Sequence, residues 1–256
     1  MATRSIDLNS DLGESYGAFQ IGYDTELFPL ISSANIACGF HGGDPRVMAR
    51  TVAAAKEHGV AISAHPGYPD LVGFGRRPIA ATPDEVRTDT LYQLGALDAF
   101  CRAAGVPMRH VKAHGALSNV AVKDAEIARA IAEAVVAFDK WLALVVMPWT
   151  EVEKAGKMAG LPLLMEAFAD RAYHSDGSLV SRREPGAMIT NPEEAAARML
   201  RLVTEGKVTT VEGVDLELDI DTICTHSDTP GAVEIVQAMR RRFEDAGIAI
   251  QAATPR

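Results

Sequence analysis

Short apolar runs alternate with amphipathic runs along nearly the whole chain. The apolar runs have the length of buried strands, and the stretches between them repeat apolar residues at the helical period. Strands that alternate with helices in this way indicate βαβ units around a parallel sheet. The pattern predicts strands near residues 5–10, 34–38, 61–65, 109–113, 142–147, 163–168, 187–190 and 221–226.

Three helical runs have clear start and stop signals. Each begins with a capping side chain followed by proline and ends on glycine, which predicts helices within 44–59, 82–105 and 191–206. Residues 171–187 form the longest irregular stretch, and residues 208–219 are a candidate extra strand pair. Because no linker interrupts the alternation, we expect one domain over residues 1–256.

Composition narrows the class of protein. A chain of 256 residues with 48% hydrophobic residues supports a large core, and β/α barrels commonly have this length. The net charge of −9 is spread along the chain, which argues against nucleic acid or an anionic membrane as a partner. Three cysteines without CxxC spacing indicate neither a disulfide framework nor a zinc knuckle.

Membrane insertion and export are not expected from the sequence. The longest strongly apolar run, Leu142 to Met147, is far shorter than the roughly 18 residues that a membrane-spanning helix needs. The N-terminus lacks the apolar core of a signal peptide. We therefore expect a cytoplasmic protein.

Polar side chains collect at the C-terminal ends of the predicted strands. In a β/α barrel these ends converge on one face, where active sites lie. The side chains at or just past the ends are His41, His65, His114, Glu166 and His226. The polar side of the first strand adds Asp7, Asn9 and Asp11.

A single histidine near a strand end is more often structural, but polar side chains at five strand ends together indicate one site. Lys112 has the same strand parity as His114, and a buried lysine needs an anionic partner or a depressed pKa. Asp7 could instead be a group at the barrel floor or a cap. Three other histidines receive a structural interpretation, namely His58, His110 and His174.

The glycine-rich loop over residues 65–78 contains Arg76 and Arg77. It has the chemistry of a flap that grips a carboxylate or phosphate, although an ordinary solvated turn fits equally well. The chain contains no GxxxxGK[ST] run, no GxGxxG after a strand and no GxSxG elbow. Nucleotide binding by a P-loop or Rossmann motif and a serine-hydrolase triad are therefore unsupported.

Six blocks read DLNSDLGE, SANIACGFHGGDP, AHPGYPDLVGFGRR, HVKAHGALSN, EAFADRAY and ICTHSDTPGAV, in this order. In these blocks the chain resembles the LamB/YcsF family, the A subunits of bacterial ATP-dependent 5-oxoprolinase. The resemblance implies an irregular (β/α) barrel of the glycoside hydrolase/deacetylase type. It also implies conversion of 5-oxo-L-proline, water and ATP to L-glutamate, ADP and phosphate, together with subunits B and C. Four positions depart from the family pattern, Ser10, Ala113, Ser118 and Ser227.

These residues lead to a hypothesis for the site. Asp11 or Glu166 is the preferred general base, and histidines would position water, carry protons or hold a divalent metal. The candidate catalytic residues are Asp11, His41, His65, Lys112, His114, Glu166 and His226. The candidate substrate-binding residues are Asn9, Asn35, Arg76, Arg77, Arg171 and Asp228. The candidate metal ligands are Asp11, His41, His65, His114 and His226.

Two other functions remain open at this stage. A stand-alone metal-dependent amidohydrolase or deacetylase would use the same acids and histidines without ATP. A non-catalytic subunit would keep the pocket only to bind substrate. The sequence leaves the oligomeric state open, including a homo-oligomer, and it does not identify a metal.

Overall fold

The computed structural model describes residues 4–255, and a closed barrel of parallel strands forms its centre. The first six strands are β1 (Ser5–Leu12), β2 (Ser33–Ala37), β3 (Ala61–His65), β4 (Met108–Val111), β5 (Ala143–Val146) and β6 (Leu163–Phe168). Next come β7 (Lys207–Thr209), β8 (Asp215–Glu217), β9 (Thr222–Cys224) and β10 (Ala249–Ile250). Strands β1 to β6 pair in order, and β9 closes the barrel between β6 and β1. The predicted α/β barrel class is confirmed.

Helices surround this barrel, and the three helices that were predicted in detail are confirmed. The helices are α1 (Asp24–Leu27), α2 (Pro45–His58), α3 (Pro83–Ala104), α4 (Gly115–Ala121), α5 (Ala125–Asp139), α6 (Glu151–Met158), α7 (Pro192–Glu205) and α8 (Ala232–Asp245). The Asp44 side chain caps α2, Thr82 forms a capping box with Glu85 on α3, and Asn191 caps α7. Each of these three helices ends on a glycine in the left-handed conformation.

The predicted strand at 187–190 is wrong. Met188 makes only an isolated bridge to Arg171, and β6 pairs directly with β9 in the barrel. The apolar character of this segment has another cause, since Ala187 packs in a small separate cluster with Ala172 and Val180. The predicted strand pair within 208–219 is present as the antiparallel pair β7 and β8.

Strand β1 shows how the fold separates apolar from polar groups. Ile6, Leu8 and Leu12 belong to the main hydrophobic core, which includes residues of both the strands and the surrounding helices. The alternate residues Asp7, Asn9 and Asp11 are also buried, but they contact polar groups of other barrel strands. The interior of the barrel is therefore polar. Among the described residues, no helix combines the length and apolar character needed to cross a membrane.

Candidate active site

A buried lysine and two carboxylates occupy the C-terminal half of the barrel interior. Lys112, just after β4, places its ammonium nitrogen 2.8 Å from Glu166 Oε1 and 3.1 Å from Asp11 Oδ1. The same nitrogen lies 2.9 Å from Cys224 Sγ. These groups come from different strands and meet because the strand ends converge. We call Asp11, Lys112 and Glu166 the lysine cluster.

Two buried amides hold these carboxylates in place. Asn35 Nδ2 donates to Asp11 Oδ1 at 2.8 Å and to Asn9 Oδ1 at 2.7 Å. Asn9 Nδ2 in turn donates to Glu166 Oε1 at 3.1 Å and to Thr222 at 2.7 Å. Asn9 and Asn35, which were predicted to bind substrate, are thus engaged in hydrogen bonds that orient the acids.

The charges in the lysine cluster stabilise one another. Burial alone would raise the pKa of Asp11, but the nearby His65 and Lys112 hold that pKa well below its usual value. Burial alone would lower the pKa of Lys112, but Asp11 and Glu166 keep it well above its usual value. Asp11 and Lys112 are therefore an ionised pair at neutral pH.

His226 extends the polar network toward the solvent. Its Nδ1 lies 2.9 Å from Asp170 Oδ2, and its Nε2 lies 3.9 Å from Asp11 Oδ2. Burial would raise the pKa of Asp170, but His226 and Thr229 lower it to about 2, so an ionised carboxylate accepts a hydrogen bond from Nδ1–H. The lone pair of the neutral imidazole then lies on Nε2, on the side of Asp11. The ring also stacks on Phe168.

A second buried cluster lies beside the first and consists of Glu14, His41, His65 and His114. Glu14 Oε1 is 3.0 Å from His41 Nε2 and 3.2 Å from His114 Nδ1. His114 Nδ1 is also 3.0 Å from His65 Nε2, which lies 3.4 Å from Asp11 Oδ2. We call these four residues the histidine cluster. Burial would raise the pKa of Glu14, but the adjacent His114 and His41 rings hold it well below its usual value.

Comparison with known proteins supplies the family of the chain. The family model described as "LamB/YcsF family" matches residues 6–256. The chain belongs to the LamB/YcsF family. A relative from Thermus thermophilus, named as the A subunit of 5-oxoprolinase, is 55% identical over 247 residues, which cover 96% of this chain and 99% of the relative.

Solved structures agree with this LamB/YcsF assignment. The crystal structure of a lactam utilization protein from Thermus thermophilus has a TM-score of 0.93 and 54% identity, covering 97% of this chain and 99% of that one. A structure described as a T48 deacetylase with substrate is only 14% identical, with a TM-score of 0.50, covering 99% of this chain and 94% of that one. The second likeness concerns the fold alone.

The five metal ligands predicted for this LamB/YcsF chain fall into two groups. His41, His65 and His114 group with Glu14, and Asp11 and His226 group with Cys224. Within each group the ligand atoms lie within 4.8 Å of one another. The structure therefore offers two separate places for a cation instead of one five-residue site.

The arginines that were predicted to bind an anionic substrate are each paired with another group of the chain. Arg76 pairs with Asp228 at 2.7 Å, and the exposed Arg77 side chain pairs with the buried Asp70. Arg171 is buried and donates to the carbonyl of Val180 at 2.6 Å. Burial and then Arg182 lower the pKa of Arg171 to about 10. Asp228, the partner of Arg76, follows His226 by two residues in the chain.

Sequence reasoning missed Glu14, Asp170 and Cys224. Glu14 and Asp170 lie just past the ends of β1 and β6, and all three residues occur in the LamB/YcsF-like blocks. The same strand-end criterion that selected the histidines would have selected both acids. Cys224 has no such signal, because its contact with Lys112 depends on the packing of two distant strands.

Proposed function

We propose that this LamB/YcsF chain is the A subunit of an ATP-dependent 5-oxoprolinase, a hydrolase that opens the lactam ring of 5-oxo-L-proline. The names of its relatives support this function, because they are 49–55% identical over nearly the whole chain. The observation that carries the chemical part is the lysine cluster beside His226 and Asp170. It combines ionised acids, a cation and an oriented imidazole in one buried place.

The reaction needs an activated carbonyl because a five-membered lactam is a stable amide. Transfer of a phosphoryl group from ATP to the lactam oxygen leaves the ring carbon double-bonded to a protonated nitrogen. Water then adds to that carbon and loses a proton. Protonation of the nitrogen breaks the ring C–N bond, and release of the remaining hydroxyl proton gives an acyl phosphate. A second water hydrolyses this acyl phosphate to L-glutamate and phosphate.

Asp11 and His226 are suited to the proton transfers in ring opening. A water between Asp11 Oδ2 and His226 Nε2 would contact both atoms, which are 3.9 Å apart. We assign the removal of the water proton to Asp11. His226 Nε2, which carries a lone pair, then takes up this proton from Asp11 and gives it to the ring nitrogen. Asp170 holds the imidazole in the tautomer that this role requires.

The cations are suited to the negative charge of the substrate. Lys112 stabilises Asp11 in its ionised form, forms an ion pair with Glu166 and contributes a fixed positive charge to the barrel mouth. Arg76 offers a guanidinium for the substrate carboxylate or the phosphoryl oxygens once it exchanges Asp228 for the substrate. Glu166 is the second candidate base, and Lys112 fixes its position.

ATP is assigned to the partner subunits, B and C, in this proposal. The chain contains no phosphate-cradling sequence, and a relative that is itself named as one lettered subunit supports the existence of others. Because the reaction consumes ATP, we place the complex in the cytoplasm. The present chain would receive the phosphorylated lactam and complete the ring opening.

The decisive test is a three-way assay of ADP and L-glutamate release. The chain alone, subunits B and C alone, and all three together are incubated with 5-oxo-L-proline and ATP. Coupled release of both products only by the complete mixture is expected. ATP-dependent glutamate formation by the single chain, or by B and C without it, would contradict the proposed division of labour.

A metal-dependent amidohydrolase that works without ATP is the second candidate, and the histidine cluster favours it. This function predicts lactam opening by the isolated chain and its loss on chelation. The three-way assay, repeated without ATP and with a chelator, separates the two functions.

A further inference from the structure

Backbone carbonyls fix the tautomers of two residues in the histidine cluster. His65 Nδ1 lies 2.8 Å from the carbonyl oxygen of Lys112, and His114 Nε2 lies 2.9 Å from that of Phe74. A carbonyl oxygen only accepts, so each of these ring nitrogens carries a hydrogen. In the neutral rings, the lone pairs are therefore on His65 Nε2 and His114 Nδ1.

These two lone pairs face each other at 3.0 Å, and carboxylate oxygens surround them. Glu14 Oε1 is 3.2 Å from His114 Nδ1, and Asp11 Oδ2 is 3.4 Å from His65 Nε2. With the neutral rings, no hydrogen joins His65 Nε2 to His114 Nδ1 or either nitrogen to its carboxylate oxygen, so these acceptors repel one another and the arrangement favours a positive charge among them. A single proton serves only one pair of acceptors, whereas a divalent cation binds several at once.

His41 has a different role from the other two rings. Its ring is stacked parallel to that of His114, with centroids 3.6 Å apart and an angle of 2°. Nitrogen lone pairs lie in the ring plane, so two rings stacked in this way do not point at one common ion. His41 instead contacts Glu14 through Nε2, while its Nδ1 is buried without a hydrogen-bond partner. It is placed to orient the carboxylate.

The loop over the histidine cluster is held in a strained form that supports this arrangement. Phe74, whose carbonyl fixes His114, has a φ of +55°, which is unusual for a bulky residue. A Cβ at Gly75, where φ is +62°, would lie 2.7 Å from both His41 and His114. Such outliers collect at ligand clamps and active sites. The close approach of this loop completes the enclosure of the two rings.

We propose that Glu14, His65 and His114 bind a divalent cation of the zinc class. Two imidazoles and one carboxylate are a known zinc-ligand set, and bonds of about 2.0–2.1 Å place neighbouring ligands about 3.3 Å apart. The measured separations of 3.0 and 3.2 Å are close to this value. The carbonyl partners of both rings and the His41 contact to Glu14 are the supporting bonds that such ligands have.

The rival group Asp11, Cys224 and His226 is less suited to a cation. The Lys112 ammonium lies 2.9 Å from Cys224 Sγ and 3.1 Å from Asp11 Oδ1, so a positive charge is already present there. A divalent ion beside this ammonium would be repelled. The proposed cation site and the lysine cluster are therefore distinct neighbours at the barrel mouth.

Titration of metal-free protein with Co²⁺ as a spectroscopic probe tests this proposal. The full chain is stripped with chelator, and visible absorption and stoichiometry are recorded. One Co²⁺ per chain, with visible ligand-field bands and no thiolate charge-transfer band in the near ultraviolet, is expected. Failure to bind one equivalent, or the appearance of a thiolate band from Cys224, would overturn the site.

Matched variants locate the ion. Glu14→Gln and His114→Gln should each weaken Co²⁺ binding by at least about 10-fold, the scale of lost ligand or supporting bonds. His226→Asn, in the rival group, and His174→Gln, at a half-buried histidine paired with Glu212, should keep wild-type affinity. Unchanged affinity in both ligand variants, or loss in His226→Asn, would refute the assignment. Circular dichroism checks whether each variant is folded. If a variant does not fold, the Co²⁺ absorption spectrum and stoichiometry of the wild-type protein decide whether the proposal holds.

Discussion

Asp7 and Asp11 lie on the same face of β1, four residues apart, and both are buried, yet their surroundings are opposite. Asp7 accepts hydrogen bonds from the hydroxyl groups of Ser32, Ser33 and Thr222. Asp11 contacts Lys112 and two imidazoles. Burial raises the pKa of Asp7 despite its hydroxyl partners, whereas the pKa of Asp11 is held well below its usual value. The neutral hydroxyl donors thus bind the Asp7 carboxyl group without lowering its pKa, whereas the charged partners of Asp11 keep that carboxyl group ionised.

The charge of the neighbouring groups distinguishes a structural carboxyl group from a reactive one. Burial does not, because Asp7 and Asp11 are both buried. Asp7 joins neighbouring strands near the start of the barrel, while Asp11 faces the end where the chain's other charged groups converge. In a parallel barrel the C-terminal end is the catalytic end. The two residues therefore form an internal control, and substitutions at both positions test the proposed mechanism within one strand.

Asp11→Asn should have the largest effect on turnover. The change keeps the shape of the side chain, and Lys112 retains Glu166 as a partner, so the fold should persist. Glutamate release by the complete complex should fall by about 10² to 10⁴, the range for lost acid–base catalysis. Asp7→Asn is the matched control and should keep near-normal turnover. Equal activity losses in both variants, at equal melting temperatures, would contradict the proposed difference between a catalytic Asp11 and a structural Asp7.

Lys112→Met removes the cation from the lysine cluster. Asp11 and Glu166 would remain buried without their counter-charge, which typically costs about 3–5 kcal/mol of unfolding free energy. Urea denaturation measures this loss, and Lys56→Met, at an exposed lysine bonded to the Ala104 carbonyl, is the control.

The double variant Lys112→Met with Glu166→Gln sharpens this stability test. Removing one carboxylate should recover part of the lost stability, because the penalty comes from uncompensated charge. A double variant less stable than Lys112→Met alone would contradict the electrostatic explanation.

Asp170→Asn tests the orientation of His226 with a smaller expected effect. An amide in place of the carboxylate can donate to Nδ1 and favour the wrong tautomer. Glutamate release should fall by about 10², the lower end of the acid–base range, because the imidazole itself remains. The pH profile of turnover should also change, because the ionised carboxylate beside the imidazole is lost. A change in melting temperature with an unaltered pH profile would mean that Asp170 is only structural.

The sequence predicts the barrel well because its signals are local. Capping residues, prolines and terminal glycines at 44–59, 82–105 and 191–206 describe bonds within a few residues, and the structure has each of these helices. The error at 187–190 arose because an apolar run does not reveal its packing partner. That segment packs against Ala172 and Val180, outside the barrel sheet.

The convergence of the site residues was predictable from the strand ends, but their pairings were not. Alternation along β1 indicates that Asp7, Asn9 and Asp11 share a face, and all three do. The separation of the candidate metal ligands into two groups depends on loop conformations and on Lys112. Neither of these has a local sequence signal.

The smallest predicted effect concerns the pH dependence that Asp7 contributes to stability. Its pKa in the folded protein is raised above the reference value of 3.8, so the native state keeps a proton that the unfolded chain releases. This contribution is fully present below the unfolded pKa and is lost as pH rises through the folded pKa. Asp7→Asn removes the titration while keeping the side-chain shape. The unfolding free energy of the wild type minus that of Asp7→Asn should therefore decrease as pH rises from about 4 toward neutrality.

Urea denaturation of both proteins over this pH range measures the difference, and the contributions of other titrating groups, which the two proteins share, largely cancel. At neutral pH the two proteins should differ by about 1 kcal/mol or less, the net scale of one hydrogen bond. A difference that increases with pH would mean that the folded protein favours the ionised form of Asp7, and the contrast with Asp11 would then be lost.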